Sequence, residues 1–224
     1  SFIHAGAVKD CKVEIVWIQS EDIQDDNCLE LLSDLNGILV APGFGERGID
    51  GKISAIKIAR EHSIPFFGIC LGMQCAVVEF ARNVLNLNGA SSTEIGNSPL
   101  HPVIDIMEEQ KNIKTMGGTM RLGAYTCLLE QDSLANKVYE QHEISERHRH
   151  RYEFNNDYLS RFKEAGMIAS GINKETGLVE IMELKNHPWF IATQFHPELK
   201  STVINPHPLF VAFVDAALEH KKNQ

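Results

Sequence analysis

Short apolar runs alternate with helical patterns through the first third of the sequence, and this alternation constrains the fold most. Residues 13–18, 37–41 and 65–69 are strongly apolar and predict buried strands. Residues 50–61 and 71–84 carry their apolar side chains at helical spacing and predict two amphipathic helices. Strands that alternate with helices form parallel sheets with helices packed on their faces. We therefore predict an α/β fold.

The last third of the sequence has a different pattern. Residues 167–172, 178–184 and 189–195 predict three short strands joined by tight turns, which is typical of an antiparallel meander. Residues 208–220 predict a closing helix. The sheet should therefore be mixed, parallel in its first half and antiparallel at one side. Because no repeat, low-complexity segment or linker interrupts the sequence, we expect residues 1–224 to form one domain.

The beginning of the chain resembles the end of an element. Residues 2–6 predict the last turn of a helix that Gly6 stops. We therefore expect that a first strand and most of a helix are missing upstream.

Composition and charge restrict the classes of partner. The 224 residues include 21 Lys and Arg against 30 Asp and Glu, a formal net charge of -9, which disfavours nucleic acid and anionic membranes as partners. No apolar run approaches the ~18 residues of a membrane span. The five cysteines are odd in number and form no CxxC motif, which favours a reducing cytoplasm over disulfides or a zinc site.

The sharpest local signal is Cys70, which lies between Gly68 and Gly72 where a predicted strand meets a predicted helix. A Cβ at either glycine would obstruct such a tight turn. The helix N-terminus predicts a lowered thiol pKa, and the N–H of Leu71 is a candidate donor to an oxyanion. The alternative is that Cys70 is a small buried residue, which is how we interpret Cys75.

A second signal is His196-Pro197-Glu198, directly after a predicted strand. Proline disfavours the helical conformation in the residue before it, so His196 should be extended, with Glu198 on the same side of the chain. A carboxylate in that place would fix the tautomer of the imidazole. The alternative is a solvated His-Pro turn.

Two further motifs are less specific. The glycine-rich residues 41–48 follow a strand and do not form a Walker motif, so they are either a lid that supplies one N–H or an ordinary loop. Residues 147–153 alternate Arg and His, a pattern that could bind nucleic acid or a metal. In a strongly acidic chain, an Arg that grips a carboxylate is the more economical interpretation.

Together these segments resemble the class I (triad) glutamine amidotransferases, and more narrowly the CTP synthase branch of that family. The matching segments are residues 43–48 with Gly51 and Lys52, 68–74, 92–94, 117–123, 146–153, and 195–198 with 207–210. The GGTMRLG and RHRHRYE stretches make the resemblance to the CTP synthase branch specific. The resemblance implies a three-layer, flavodoxin-like mixed central sheet with helices on both faces, here lacking its first strand.

The resemblance also implies roles for individual residues. Cys70 would be the nucleophile, His196 the base and then the acid, and Glu198 the residue that orients His196. Backbone N–H groups of Gly43 and Leu71 would hold the oxyanion. The substrate would be bound by a further set: Phe44, Gln74, Glu94, Arg151 and Tyr152. No metal is implied in this domain.

In this family L-glutamine is hydrolysed through a thioester, and the ammonia passes to a synthetase domain of the same polypeptide. That domain, which residues 1–224 do not include, uses ATP and magnesium to aminate UTP to CTP. The resemblance further implies that GTP is an allosteric activator and that the full-length enzyme is a homotetramer. Arg47 and Arg121 are candidates for contacts with GTP. The resemblance thus implies a ligase of pyrimidine biosynthesis.

The sequence departs from the family pattern in places. Pro42 stands where the family usually has glycine and supplies no N–H, and Val203 stands where the family often has proline. Two alternatives therefore stay open: a γ-glutamyl peptidase on the same fold, and a catalytically silent relative or fragment.

Overall fold

The structure is a computed structural model of the chain, and it describes residues 1–95, 98–106 and 120–224. The first three residues of the GGTMRLG motif, 117–119, lie outside the described residues. No helix among the described residues is both long and apolar enough to cross a membrane.

Helices and strands alternate in the first half of the chain, as the periodicity predicts. The elements there are α1 (Phe2–Val8), a 3₁₀ turn (Ser20–Asp22), α2 (Cys28–Leu32), β1 (Ile38–Val40), α3 (Ile49–Glu61), β2 (Phe66–Ile69), α4 (Leu71–Asn83), β3 (Ala90–Ser92) and β4 (His101–Ile106). The predicted strands at 37–41 and 65–69 and the two predicted helices are thus confirmed.

Strands dominate the second half. The elements are β5 (Arg121–Leu129), α5 (Leu134–Tyr139), β6 (Glu143–His150), β7 (Tyr152–Phe154), a 3₁₀ turn (Asn156–Tyr158), α6 (Leu159–Glu164), β8 (Met167–Asn173), β9 (Val179–Leu184), β10 (Phe190–Thr193), a 3₁₀ turn (Pro197–Leu199) and α7 (Pro208–Lys222). The predicted meander and closing helix are confirmed.

Seven strands form the main sheet, in the order β1-β2-β10-β9-β8-β5-β6. The pairs β1/β2 and β2/β10 are parallel, and the remaining neighbours are antiparallel, so the sheet is mixed as predicted. A smaller sheet has the order β3-β4-β7. Because β10 pairs with β2 in parallel, the carboxyl ends of two strands distant in sequence lie side by side.

Helices cover both faces of the main sheet, which gives three layers. The core on one face involves α2, α3 and α4 and includes Phe66, which packs on Phe190 with ring centroids 4.4 Å apart. The core on the other face involves α1, α5 and α7 and includes the next residue, Phe67, whose ring lies 5.3 Å from that of Phe210. Successive side chains of one strand thus enter opposite cores.

Two predictions for the first residues are wrong. Residues 13–18 form no strand, and Ile15, Val16 and Trp17 are 44%, 58% and 87% exposed. An apolar run becomes a strand only where a neighbouring strand pairs with its N–H and C=O groups, and this run has no such pairing with a described strand. Helix α1 also continues through Gly6 to Val8. Gly6 is a packing glycine, because a Cβ there would lie 2.7 Å from the carbonyl oxygen of Cys11.

Candidate active site

Cys70 lies in a strained turn between β2 and α4. Its backbone has φ +53° and ψ -103°, a region that non-glycine residues rarely adopt. A Cβ on Gly72 would lie 2.2 Å from the carbonyl oxygen of Val40, and one on Gly68 would lie 2.8 Å from the backbone of Gly72. Both glycines are therefore required by close backbone packing, as the sequence predicts. The Cys70 N–H donates to the carbonyl oxygen of Thr193 at 2.7 Å, which joins the turn to the end of β10.

The thiol of Cys70 is buried, which favours its neutral, protonated form. Burial raises its pKa to about 12, and the nearby carboxylates, Glu198 first among them, act in the same direction. A hydrogen bond from the N–H of Leu71 lowers the pKa by less. The predicted lowered pKa is therefore wrong, because desolvation of the thiol, in a residue that is only 3% exposed, outweighs the helix N-terminus.

His196 and Glu198 form a hydrogen-bonded pair in the turn after β10. Nδ1 of His196 lies 2.6 Å from Oε1 of Glu198. Since an ionised carboxylate only accepts, Nδ1 carries the proton and Nε2 of a neutral imidazole is left as a base. Nε2 is buried and has no hydrogen-bond partner among the described residues. The backbone of His196 has φ -109° and ψ 83°, outside the helical region as the following proline predicts.

The turn of Cys70 and the loop of His196 and Glu198 lie next to each other. The sulfur lies 3.9 Å from the carbonyl oxygen of Arg149 and 3.9 Å from Nε2 of Gln194. The carboxylate of Glu198 is near enough to raise the pKa of the thiol. In the resting structure the hydrogen bonds of the sulfur are therefore directed to β6 and Gln194, while Nε2 of His196 makes none with a described residue.

A cavity opens beside the sulfur of Cys70, and most of the predicted binding residues line it. Its lining residues are Gly43, Phe44, Cys70, Gln74, Glu94, His150, Arg151 and Tyr152. Leu71, the other predicted oxyanion donor, is adjacent, because a Cβ on Gly43 would lie 3.1 Å from Cδ2 of Leu71. Eight of the ten residues predicted for catalysis and glutamine binding therefore lie in this cavity or directly beside it, and the other two, His196 and Glu198, lie on the loop next to the turn of Cys70.

Polar groups in the cavity are held by the surrounding backbone. Gln74 donates from Nε2 to the carbonyl oxygen of Tyr152 at 3.1 Å. Burial raises the pKa of the Glu94 carboxyl, while a hydrogen bond from the N–H of Gly45 and the charge of Arg151 act in the opposite direction. A cation and a carboxylate thus face the same small space, an arrangement suited to an α-amino acid.

Gln194 is a site residue that the sequence interpretation missed. Its Nε2 donates to the sulfur of Cys70, and its Oε1 accepts from Gln74 at 3.4 Å. The signal was available, because residues two apart in an extended segment point the same way and Gln194 lies two residues before His196.

The alternating residues of β6 have a role that the sequence left open. Glu146, His148 and His150 are buried, whereas the arginines between them point outward. Nδ1 of His148 lies 2.7 Å from Nε2 of His150. Burial lowers the pKa of these imidazoles to about 2 and about 3. They are neutral members of a polar core, and no described cluster of His, Cys, Asp or Glu is arranged to hold a metal ion.

Arg121 belongs to the same polar core. Its Nη2 lies 2.7 Å from Oε1 of Glu180, and its Nη1 lies 3.5 Å from Oε1 of Glu153. Burial raises the pKa of Glu153 to about 8 despite that positive charge. Because Arg121 is buried and ion-paired, it is not available to bind GTP from solution, which corrects the prediction for this residue. Arg47, the other candidate, is exposed and pairs with Glu21.

Residues 1–216 match the family model described as glutamine amidotransferase class-I. A CTP synthase of Cytophaga hutchinsonii is 62% identical over 224 residues, which are 100% of this chain and 42% of that protein. A CTP synthase of Christiangramia forsetii is 59% identical over 100% of this chain and 41% of that protein. The chain therefore spans about two fifths of the length of these curated relatives.

Solved structures give the same grouping. The glutaminase domain of Trypanosoma brucei CTPS with bound acivicin superposes with a TM-score of 0.92 at 36% identity, covering 97% of this chain and 85% of that chain. A glutamine amidotransferase from Thermotoga maritima, with a TM-score of 0.51 at 13% identity and coverage of 94% and 82%, shares the fold. The chain therefore belongs to the class-I glutamine amidotransferase family and, within it, to the glutaminase domains of the CTP synthase type.

Proposed function

We propose that this chain hydrolyses the side-chain amide of L-glutamine and supplies the ammonia for amination of UTP to CTP. The observation that carries the proposal is the placement of Cys70 on a strained turn beside the His196–Glu198 pair, at the mouth of a cavity with opposed charges. Nucleophile, base and orienting group in that order are the arrangement used for acyl transfer.

The first chemical step needs a proton transfer, because the resting thiol is neutral. The S–H proton of Cys70 moves to Nε2 of His196 as the sulfur attacks the amide carbon of glutamine. A C–S bond forms, and the carbonyl π electrons move to oxygen. His196 then gives the proton to the amide nitrogen, the C–N bond breaks and ammonia leaves a γ-glutamyl thioester. Water hydrolyses the thioester to glutamate, with His196 as base again.

Two further sets of groups serve this step in our proposal. The N–H groups of Gly43 and Leu71 hold the negative oxygen, and losing one such donor typically costs about 2.7–4 kcal/mol in the barrier. Arg151 binds the α-carboxylate of glutamine, and Glu94 binds the α-ammonium group, with Gln74 beside them. Phe44 and Tyr152 complete the wall.

We propose that residues 1–224 form one glutaminase domain that works with a synthetase domain of the same polypeptide. That partner would use ATP and magnesium, with GTP as activator, in a cytoplasmic homotetramer. The names of the relatives and the longer length of their chains support this assignment. The cysteines, all five of which are unpaired, support the cytoplasm.

The test compares two nitrogen sources in the full-length protein. With UTP and ATP present, Cys70→Ala should lose glutamine-dependent CTP formation by at least about 10³-fold. The same variant should keep CTP formation from added ammonium salt, because ammonia bypasses the thioester. Cys75→Ala, which removes a buried sulfur from α4, the helix that begins directly after Cys70, should keep both activities. Glutamine-dependent synthesis that survives in Cys70→Ala would overturn the proposal.

A further inference from the structure

The carboxylate of Glu146 on β6 is the centre of a buried polar cluster outside the cavity. The residue is 1% exposed. Its Oε1 accepts from the hydroxyl of Tyr139 at 3.1 Å, from Nε2 of His207 at 3.1 Å and from Nζ of Lys200 at 3.3 Å. Nδ1 of His207 accepts from the N–H of Leu209, so Nε2 carries the proton and donates to Glu146.

Two of these partners bracket the segment that follows the proposed catalytic pair. Lys200 comes two residues after Glu198, and His207 is the N-cap of α7. Lys200 also donates from Nζ to the carbonyl oxygen of Ser145 at 2.6 Å. At the other end, the N–H of His196 donates to the carbonyl oxygen of Arg147 at 2.8 Å.

The segment 196–207 is therefore attached to three consecutive residues of β6. Lys200, two residues after Glu198, and His207, at the far end of the segment, both donate to the same oxygen of Glu146. The bond from His207 is buried at both ends, and a hydrogen bond to a carboxylate in a buried place is stronger and more directional than a neutral one, whereas the Lys200 side chain is 43% exposed and its bond is weaker. The second oxygen of Glu146 has no partner among the described residues, so the carboxylate depends on the bonds to Oε1.

We infer that Glu146 is a positioning residue for the loop that carries His196 and Glu198, and that it acts by holding Lys200 and His207 against β6. The inference rests on the proposed glutaminase function. Glu146 does not line the cavity, so it should leave substrate binding unchanged. It sets where Nε2 of His196 lies relative to the sulfur, and a small misplacement of a catalytic group has a large effect on rate.

The experiment measures steady-state glutamine hydrolysis by the full-length protein and its variants Glu146→Ala, Glu146→Gln and Lys200→Met. Competent sites are counted by labelling Cys70 to completion with an electrophilic glutamine analogue, so that kcat is expressed per labelled site. This count separates a misplaced loop from a smaller folded fraction. Glu143→Gln is the matched control, because Glu143 lies on the same strand but is exposed and pairs only with Lys174 among the described residues.

We expect Glu146→Ala to lower kcat per site by about tenfold or more, with KM within about twofold of the wild type. The kcat of Glu146→Gln should lie between those of Glu146→Ala and the wild type, since its amide oxygen can still accept from Lys200 and His207. Lys200→Met should also lower kcat, and the double variant Glu146→Ala/Lys200→Met should lose little more kcat than Glu146→Ala alone. Glu143→Gln should match the wild type.

Two outcomes would overturn the inference, and they are distinguishable. A wild type that hydrolyses glutamine, with Glu146→Gln and Lys200→Met at the wild-type kcat per site, would show that the cluster is structural only. A wild type that releases no ammonia from glutamine would instead overturn the proposed function, and the inference with it. If Glu146→Ala does not fold, the comparison of Glu146→Gln with Lys200→Met decides the question.

Discussion

The pKa of the Cys70 thiol is raised in the fold, although the position of Cys70 in the sequence predicts that it is lowered. A thiol at a helix N-terminus is expected to ionise easily. In this fold the sulfur is enclosed by β6 and Gln194, so the cost of burying a thiolate exceeds the effect of the Leu71 N–H. The turn could be predicted from Gly68 and Gly72, whereas the burial depends on strands that follow much later in the chain.

The raised pKa of the Cys70 thiol predicts how its reaction with iodoacetamide depends on pH. Because the pKa of Cys70 is about 12, the thiolate fraction is small at pH 7 and increases throughout the alkaline range. Without glutamine, the alkylation rate of Cys70 should increase steadily from pH 7 to pH 10 without a plateau. Peptide mass spectrometry measures the rate, with a small free thiol as reference. A plateau near pH 7 would contradict the protonated resting thiol.

Glu153 predicts a pH dependence of stability. Its pKa is about 8 in the folded chain and 4.5 in the reference state, so unfolding releases a proton between these values and stability falls as pH rises. His148 and His150 have the opposite sign, because the unfolded chain binds protons below pH 6.5 and the folded imidazoles do not. Between pH 6.5 and 8 the contribution of Glu153 to the pH dependence of stability is therefore largely free of the opposing contribution of these two histidines.

The variant Glu153→Gln tests this contribution. Over pH 6.5 to 8 the wild-type free energy of unfolding should fall by up to about 1.4 kcal/mol per pH unit from this group. Glutamine keeps the shape of the protonated acid and does not titrate, so the variant should show a shallower slope in denaturant unfolding. Equal slopes in the two proteins would contradict an elevated pKa at Glu153.

At the scale of elements, the connection between β2 and α4 depends on close backbone packing. Gly72→Ala should lower the free energy of unfolding by about 1–3 kcal/mol, because its Cβ would meet the carbonyl oxygen of Val40. It should also lower kcat for glutamine hydrolysis, because relief of that overlap moves Cys70. Thermal unfolding and steady-state kinetics measure the two effects.

Gly177→Ala is the matched comparison. Gly177 lies in the turn between β8 and β9, with φ +71° and open space around it. Alanine there should therefore cost about 1–2 kcal/mol of backbone strain without a steric overlap. This variant should lose stability and keep its kcat. If Gly72→Ala also kept the wild-type kcat, the turn would not position the nucleophile.

Elements with local signals could be predicted from the sequence, and those that depend on distant pairing could not. The meander of β8, β9 and β10 follows from apolar runs separated by short turns. Residues 13–18 have an equally apolar pattern but no strand, because strand formation depends on a neighbouring edge that a local pattern does not reveal. The alternation along β6 was visible, yet only the fold shows that its buried side chains form a polar core.

At the scale of the whole molecule, the site is produced by the parallel pairing of β2 with β10. This pairing brings the turn of Cys70 and the loop of His196 to the same end of the sheet, with β6 behind both. The motifs predicted which residues take part. They could not predict that the carbonyl group of Arg149 lies beside the sulfur, since this contact arises only when β6 packs against the turn of Cys70.

The central claim is that Cys70 and His196 form one site for glutamine, and covalent labelling of Cys70 tests it most directly. The full-length protein is treated with an electrophilic glutamine analogue, and each cysteine is quantified by mass spectrometry. We predict a single adduct on Cys70, protection by L-glutamine, and labelling at least about tenfold slower in His196→Ala. Labelling that falls on other cysteines, or that proceeds at the wild-type rate without His196, would contradict the claim.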